Sequence, residues 1–352
     1  MPSRARLALA VALVAGLAAG SPLARAAGGD AAKGTLSLRG AGATFPAPLY
    51  EAWIQAYRRA NPDVVITYEA VGSSEGQRRY LADAVDFGAS DAALSDEQMA
   101  RVKSGARLVP VTAGIVVLAY NMPGATAPLR LGREACAEIF AGRINTWNDP
   151  RIRAANPGLD LPNRTIALVA RQDGSGTTFA LTNHLSAVSP DWRDRGPGVG
   201  NLVDWRGAAM LARGNEGVAA RIKTSEYSLG YVEYHFARRL GLPMATLQNR
   251  AGRYVAPDER GGQAALASSM DQMPGNLRLF MPDPEGDASY PIVTFSWLLL
   301  YERYPDPDKA AAVKKFVAWS LTAGQALSRD LGYIALPPPV ASRSLAALDR
   351  IT

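Results

Sequence analysis

Arg171-Gln172-Asp173-Gly174-Ser175-Gly176-Thr177-Thr178 is the stretch from which the fold of this chain can be inferred. Residues 166–170 before it form a short apolar run, which is typical of a buried β-strand. Residues 179–188 after it carry apolar side chains at helical spacing. The stretch therefore predicts a strand, a glycine-flanked loop of hydroxyl residues, and the start of a helix.

The loop has the composition of an anion site. The first turn of a helix leaves backbone N–H groups without an intrahelical partner, and the helix dipole places partial positive charge there, which favours an oxyanion. Arg171, at the end of the strand, adds a forked and permanently charged donor. A plain N-capped helix after a tight turn explains this stretch equally well, because Gly, Ser and Thr favour that arrangement too.

The composition is that of an exported globular protein. The chain has 352 residues, 48% hydrophobic and 20% charged, which fits one large or two medium domains. Arg4 and Arg6 precede an apolar run and Ala24-Arg25-Ala26 matches a cleavage site, so residues 1–26 are predicted to be a secretory signal peptide. Cys136 is the only cysteine, which excludes an internal disulfide and a lipid-bearing cysteine near the cleavage site. We expect the mature protein in a periplasm, without a lipid anchor.

Charge and residue content exclude several kinds of partner. The formal charge of +6 falls by three, to +3, when Arg4, Arg6 and Arg25 are removed with the signal peptide, and that is too mild for a nucleic-acid surface. No later apolar run reaches the roughly 20 residues that a membrane span needs. With one cysteine and two distant histidines, His184 and His235, the chain offers no clustered ligands, so neither a metal nor another cofactor is expected.

Two further junctions of the same kind occur earlier in the chain. Thr44-Phe45 precedes a helix that Pro46 can start, and Ser73-Ser74 lies between a strand at 64–68 and a polar helix at 77–84. Strands and helices alternate throughout, which predicts an α/β fold with doubly wound sheets. Open sheets of this class bind ligands at the carboxyl ends of their strands, so the three helix starts are expected to converge on one anion.

Three longer stretches complete the predicted architecture. Residues 108–112 and 114–120 are predicted as consecutive extended segments, and residues 292–301 as a long buried strand. Residues 191–204 are rich in Gly, Pro and charge and are predicted to form a loop.

Asp91 bears on which anion is bound. A carboxylate facing an anion is repulsive unless the ligand carries a proton for it to accept; monohydrogen phosphate does, and sulfate at neutral pH does not. A buried acceptor facing another acceptor costs on the order of 1–3 kcal/mol, so Asp91 is predicted to select against sulfate. A capping or surface carboxylate in an Ala-Ser-Asp-Ala turn is the commoner explanation of the spacing alone.

Several motifs occur in order along essentially the whole mature chain. They are GAGATFPAPLY at 40–50, GSSEG at 72–76, DFGASD at 86–91 and DGSGT at 173–177, together with residues 144–150, 217–219 and 230–234. In these motifs the chain closely resembles the periplasmic phosphate-binding protein of the phosphate-specific ABC transporter. Two positions depart from the family's pattern: Glu75 stands where glycine is frequent, and Gln172 where a small residue is common. Glu75 would weaken binding slightly if it pointed inward.

The resemblance implies a two-lobed periplasmic-binding-protein fold of type II, each lobe a sheet flanked by helices, with the ligand in the cleft between the lobes. The first lobe would comprise residues 27–119 and 291–352, and the second lobe residues 120–290. The chain would cross between the lobes near 118–121 and 290–293, and the lobes would close about those crossings.

The ligand implied by the resemblance is inorganic phosphate, and the residues that would bind it are Thr44, Phe45, Ser73, Asp91, Arg171, Ser175, Gly176 and Thr177. Asp91 would accept the phosphate proton, Arg171 would pair with the anion, and the others would donate through N–H or hydroxyl groups. The protein would be a monomeric receptor that delivers phosphate to the membrane subunits of an ABC permease, and not an enzyme.

Two alternatives to phosphate binding are worth testing. Arsenate, protonated like phosphate, would not be excluded by Asp91. The motif at 72–76 also fits the Gly-x-Ser-x-Gly elbow of a serine hydrolase, with Ser74 as nucleophile. Such an enzyme needs a histidine base, and neither His184 nor His235 lies in a suitable sequence context, which makes the hydrolase the weaker alternative.

Overall fold

The computed structural model describes residues 35–125, 127–205 and 209–352. The predicted signal peptide, residues 1–26, lies outside the described residues. Within them the chain forms a mixed sheet of eight strands, surrounded by helices, and a small sheet of three strands. The predicted α/β class is therefore confirmed.

The large sheet consists of β1 (Leu36–Gly42), β2 (Val64–Ala70), β3 (Phe87–Ser90), β4 (Ala106–Asn121), β6 (Ala167–Arg171), β7 (Met210–Ala212), β8 (Ser228–Glu233) and β11 (Val293–Tyr301). The small sheet consists of β5 (Arg130–Leu131), β9 (Thr246–Gln248) and β10 (Tyr254–Val255).

The helices are α1 (Ala47–Ala60), α2 (Ser73–Leu81), α3 (Asp96–Ala100), α4 (Arg133–Phe140), α5 (Pro150–Ala155), α6 (Gly176–Val188), α7 (Pro190–Arg195), α8 (Gly214–Thr224), α9 (Tyr234–Arg239), α10 (Glu259–Ser269), α11 (Pro307–Leu321), α12 (Ala326–Leu331) and α13 (Pro338–Ala347). Within the described ranges, no helix is both long and apolar enough to cross a bilayer.

The large sheet has two halves that share β4. Its strand order is β2-β1-β3-β11-β4-β8-β6-β7. Strand β4 pairs antiparallel with β11 as far as Ile115 and antiparallel with β8 from Val116 onward. In the first half β1 is parallel to β2 and β3, and in the second half β6 is parallel to β7 and β8. The strand ends that precede α1, α2 and α6 are thus carboxyl ends of parallel strands.

The centre of the core is formed by the two longest strands. All nine residues of β11 are buried, and β4 is buried along most of its 16 residues. Both strands read as nearly continuous apolar runs, which is the pattern of strands covered on both faces. The long buried strand predicted at 292–301 is confirmed, with its start at Val293.

Several predicted boundaries differ from the observed ones. The two extended segments predicted at 108–112 and 114–120 are one strand, β4. Helices α2 and α6 begin at Ser73 and Gly176, several residues before the apolar periodicity does, because their first turns consist of the small polar residues that favour helix starts. The loop prediction for 191–204 is wrong at its beginning, where Ser189 caps the short helix α7 by accepting a hydrogen bond from Trp192 N–H.

Candidate functional site

The helix starts predicted to converge lie next to one another. The Gly176 N–H donates to Ser73 Oγ over 3.0 Å, and the Ser74 N–H donates to the Gly174 carbonyl over 3.1 Å. These bonds join the start of α2, in the first half of the sheet, to the start of α6, in the second. The structure therefore brings two of the three predicted junctions into direct contact.

Glycine is required where these two helix starts touch. A Cβ at Gly176 would stand 2.6 Å from Asp91 Cβ and 2.7 Å from Ser73 Oγ. Gly72 has φ +97°, and a Cβ there would stand 2.5 Å from Asp173 Oδ2. Larger side chains at these positions would separate the two junctions, so the glycines of both motifs permit the close approach of backbone that the site needs.

Asp91 lies at the bottom of this contact and is 1% exposed. Ser296 Oγ on β11 donates to its Oδ1 over 2.7 Å, and Ser73 Oγ lies 3.5 Å from its Oδ2. Burial raises the pKa of Asp91 to about 7, against the opposing effects of the Ser296 hydrogen bond, the Arg171 charge and Ser73. Near neutral pH this carboxyl can therefore exist in either protonation state, as a proton-accepting group requires.

Arg171 is 2% exposed and is held by a carboxylate that the sequence analysis assigned no role. Its Nε donates to Asp173 Oδ1 over 2.9 Å and its Nη2 to Asp173 Oδ2, so the pair is bidentate. Its Nη1 lies 3.5 Å from Thr177 Oγ1. Burial raises the pKa of Asp173, but the hydrogen bonds and charge of Arg171 and the Gly214 N–H outweigh burial and hold that pKa below its ordinary value. Asp173 thus fixes the plane of the guanidinium and leaves Nη1 directed at the cluster.

The third junction, at Thr44, is joined to the others by Asn215, which the sequence analysis missed as a site residue. Asn215 Nδ2 lies 3.0 Å from Thr44 Oγ1 and 3.2 Å from Thr177 Oγ1. Its only signal in the sequence is a fourth helix start, Gly214-Asn215, after β7. Asn215 is fully buried. It links Thr177, a predicted phosphate-binding residue on α6, to Thr44, which precedes α1.

Phe45 and Ser175, two further predicted binding residues, are held in place by hydrogen bonds to other residues. The Phe45 carbonyl accepts a hydrogen bond of 2.7 Å from Tyr333 Oη, which anchors the loop that carries Thr44. Ser175 Oγ accepts from Thr178 N–H over 3.2 Å, so the plain cap considered for this loop is present. A hydroxyl that accepts in a cap still carries its own proton, and Ser175 can therefore cap α6 and donate to a ligand at once.

A cleft of about 630 Å³ opens beside this cluster, and Thr44, Asp173 and Asn215 are among its lining residues. The cluster itself presents N–H, O–H and guanidinium donors around the carboxyl of Asp91, whose hydrogen bonds come from hydroxyls and not from a cation. Such an arrangement suits a small oxyanion that carries one proton.

Comparison with known proteins places this architecture in a family. Residues 26–323 match the PBP superfamily domain. The chain is 38% identical over 305 residues to the phosphate-binding protein PstS of Pasteurella multocida, covering 86% of this chain and 87% of the relative. It is 37% identical over 309 residues to PstS of Haemophilus influenzae, covering 87% and 90%. The chain belongs to the PstS family of phosphate-binding proteins.

Solved structures agree on the fold of this PstS-family chain. The phosphate-binding protein from Stenotrophomonas maltophilia superposes with a TM-score of 0.71 at 20% identity, over 88% of this chain and 93% of that one. The predicted periplasmic-binding-protein fold is confirmed. The predicted lobe boundaries, 27–119 with 291–352 and 120–290, remain predictions.

Glu75, one of the two departures from the family's pattern, is bound by two arginines of its own helix. Arg78 Nε donates to Glu75 Oε2 over 2.7 Å, and Arg79 Nε donates to Glu75 Oε1 over 2.8 Å. The hydrogen bonds from Arg78 and Arg79 lower its pKa to about 2. Glu75 lines the cleft, and its ion pairs with Arg78 and Arg79 offset the repulsion of an anion considered above.

The contacts of Ser74 and of the two histidines do not fit a serine hydrolase. Ser74 Oγ accepts from Asn201 Nδ2 over 3.3 Å. His184 Nδ1 is bonded to the Pro282 carbonyl and His235 Nδ1 to the Leu331 carbonyl. In the part of the chain that the structure describes, neither histidine has a hydrogen bond to Ser74 that would make it a base for that nucleophile.

Proposed function

We propose that this protein binds inorganic phosphate, as the monohydrogen ion, at the cluster formed by Thr44, Phe45, Ser73, Asp91, Arg171, Ser175, Gly176 and Thr177. Asp91 is the observation that supports this most strongly. It is a buried carboxyl with a pKa of about 7, placed among donors, and it gives the ligand's own proton a partner. Relatives with 37–38% identity are named phosphate-binding proteins, which supports the same ligand.

The proposed mechanism is capture by closure of two lobes. The lobes are residues 27–119 with 291–352, and residues 120–290. The change of partner along β4, from β11 at Ile115 to β8 at Val116, supports a crossing within that strand. The contacts between the α2 and α6 starts, such as Gly176 to Ser73, would form on closing and break on opening.

The proposed physiological role is delivery of phosphate to the membrane subunits of an ABC permease. The protein would act in the periplasm as a monomer, after removal of residues 1–26, and would catalyse no reaction. Membership of the PstS family supports this role. It requires no cofactor, metal or nucleic acid.

Calorimetry of the mature protein, stripped of endogenous ligand, tests the proposal. We expect one-to-one binding of phosphate at neutral pH, and little response to sulfate at a pH well above 7, because ionised Asp91 accepts a proton from the ligand and sulfate has none. Sulfate binding as tight as that of phosphate would remove Asp91 from the selectivity argument. No binding of either anion would overturn the proposed function.

Arsenate is a second candidate ligand that Asp91 itself favours, because this ion carries a proton as phosphate does. A competition titration of phosphate-loaded protein with arsenate distinguishes the two. We expect phosphate to be preferred, and tighter arsenate binding would reassign the ligand while leaving the role of Asp91 intact.

A further inference from the structure

Asn215 has an environment that fixes which end of its amide is the nitrogen. It is fully buried, and its Oδ1 accepts the Glu233 N–H over 2.9 Å. A backbone N–H can only donate, so the atom facing it must be the amide oxygen. The NH₂ group is thereby directed to the other side, toward the cluster.

On that side the NH₂ group meets two hydroxyls that belong to the proposed phosphate site. Nδ2 lies 3.0 Å from Thr44 Oγ1 and 3.2 Å from Thr177 Oγ1. The 3.5 Å separation of Thr177 Oγ1 from Asn215 Oδ1 is longer than the 3.2 Å contact with Nδ2. The amide therefore donates to both threonines, one on each side of the contact between the two halves of the sheet.

The other neighbours of each threonine hydroxyl favour the same hydrogen-bond direction, with the hydroxyl oxygen as acceptor. Thr44 Oγ1 also lies 3.3 Å from the Asn215 N–H, and Thr177 Oγ1 also lies 3.5 Å from Arg171 Nη1. Each oxygen is thus approached by two groups that can only donate. A hydroxyl whose lone pairs are used in this way directs its own proton elsewhere.

We infer that Asn215 is a positioning residue that makes Thr44 and Thr177 obligatory donors to the anion. The inference rests on the proposed phosphate site and deepens it. With both hydroxyl protons pointing at the ligand, the ligand oxygens there must be unprotonated, and its single proton is directed to Asp91. Asn215 therefore determines specificity by setting hydrogen-bond polarity, without a charge and without being required to touch the ligand itself.

Two substitutions at this position separate orientation from other effects. Asn215→Leu removes the amide, frees the hydroxyls to rotate, and should weaken phosphate binding on the order of tenfold. Asn215→Asp keeps an acceptor for the Glu233 N–H but replaces NH₂ by oxygen, so the hydroxyls turn toward the carboxylate. We expect it to weaken phosphate binding on the order of a hundredfold or more.

A double-mutant cycle supplies the decisive comparison. Each Asn215 change is repeated in a Thr44→Val, Thr177→Val background, and phosphate binding is measured by calorimetry at one neutral pH. If Asn215 acts through the hydroxyls, Asn215→Leu should lower phosphate affinity by less than about threefold in this background. The loss of affinity caused by Asn215→Asp should be about ten times smaller in this background than in the wild-type protein. An Asp effect that persists undiminished would mean simple charge repulsion, and an undiminished Leu effect would mean a merely structural role; either overturns the inference.

Asn156, at the end of α5 and beside β5 of the small sheet, offers a matched control outside the cluster. Its Oδ1 also accepts a backbone N–H, from Arg130 over 2.8 Å, and its Nδ2 also donates to two oxygens, the carbonyls of Arg130 and Ile152. Asn156→Leu and Asn156→Asp should lower the thermal unfolding temperature and leave phosphate affinity unchanged.

The outcomes also separate this inference from the proposed function. Failure of the wild-type protein to bind phosphate would overturn the proposed function itself. Wild-type binding with no coupling between Asn215 and the two threonines would overturn only the inference. If Asn215→Leu does not fold, Asn215→Asp carries the test, because it retains the acceptor for Glu233.

Discussion

Asp91 and Asp173 are two carboxylates of one cluster whose surroundings give them opposite properties. Asp91 accepts a hydrogen bond from the Ser296 hydroxyl, with Ser73 nearby, whereas Asp173 is bound at both oxygens by the Arg171 guanidinium. Burial raises the pKa of Asp91 to about 7. Burial acts on Asp173 too, but Arg171 outweighs it and its pKa lies below the ordinary value. Hydroxyl partners do not offset the desolvation of a carboxylate, and a bonded guanidinium does.

Because their pKa values differ, the two carboxylates have different roles in the proposed site. Asp173 stays ionised and acts as the counter-ion that orients Arg171. Burial raises the pKa of Asp91 to about 7, which allows it to share a proton with a ligand. One arginine bonded to one of two carboxylates therefore creates both a permanent charge pair and a proton acceptor.

Arg171→Ala should have the largest effect, because it removes the charged donor to the anion, the cation bonded to Asp173 and the positive charge near Asp91. Truncating one partner of a buried, hydrogen-bonded charge pair with a ligand costs about 2–5 kcal/mol of binding, and we expect phosphate affinity to fall on the order of a thousandfold, as measured by calorimetry. Arg133→Ala is the matched control, since Arg133 binds Asp283 through two bonds of 2.8 Å outside the cluster. It should lower stability and spare phosphate binding. A loss of less than tenfold for Arg171→Ala would contradict the proposed role.

Asp91→Asn should change selectivity more than it changes stability. The amide can donate to an unprotonated oxygen, so sulfate binding should strengthen relative to phosphate by roughly ten- to a hundredfold, in keeping with a polar mismatch of about 1–3 kcal/mol. Titration with both anions at a pH well above 7, where wild-type Asp91 is ionised, measures the ratio. Asp86→Asn is the control, because Asp86 accepts bonds from Arg39 N–H and Lys309 Nζ outside the cluster. An unchanged ratio in Asp91→Asn would disprove the role of Asp91.

Asp173→Asn should have a smaller effect on phosphate than either change above. Arg171 keeps its charge, and the amide oxygen can still accept one of the guanidinium bonds, so we expect phosphate affinity to change by about tenfold or less. Calorimetry measures the phosphate affinity of this variant. Asp283→Asn, which removes the equivalent carboxylate beside Arg133, is the control. A loss as large as that of Arg171→Ala would mean that Asp173 does more than orient the arginine.

The sequence was sufficient for the elements that local chemistry specifies. Gly, Ser and Thr between an apolar run and a helical period identify the starts of α2 and α6, and strand–helix alternation identifies the class. The convergence of the junctions followed from the rule that parallel strands of one sheet end at the same edge. Each of these arguments uses residues close together in the chain.

The sequence was insufficient where the partners come from distant segments. Ser296 lies in the apolar strand β11 and reads as a core residue, yet it is 205 positions from the carboxylate it contacts. Asn215 reads as an ordinary helix start, and its contact with Thr44 spans 171 positions. The distinction between Asp91 and Asp173 depends on which of them Arg171 binds, and sequence spacing does not reveal that.

Ser296→Ala should have the smallest effect, and it tests why Asp91 titrates where it does. In the wild-type protein, sulfate binding should strengthen as the pH falls through about 7, because protonated Asp91 then donates to a sulfate oxygen that the carboxylate would repel. The Ser296 hydrogen bond stabilises the ionised form, so its loss should raise the pKa of Asp91 further. The midpoint of sulfate binding against pH should therefore move to higher pH.

The neighbouring hydroxyl on the same strand provides the comparison for Ser296→Ala. Thr294 Oγ1 lies 3.3 Å from the backbone carbonyl of Asp91, and Thr294→Val should leave the midpoint in place because it removes no bond to the carboxylate. A midpoint that moves to lower pH in Ser296→Ala, or moves equally in both variants, would contradict the assignment. A shift confined to Ser296→Ala would mean that one hydroxyl on β11 sets the pH at which the receptor begins to accept an unprotonated anion.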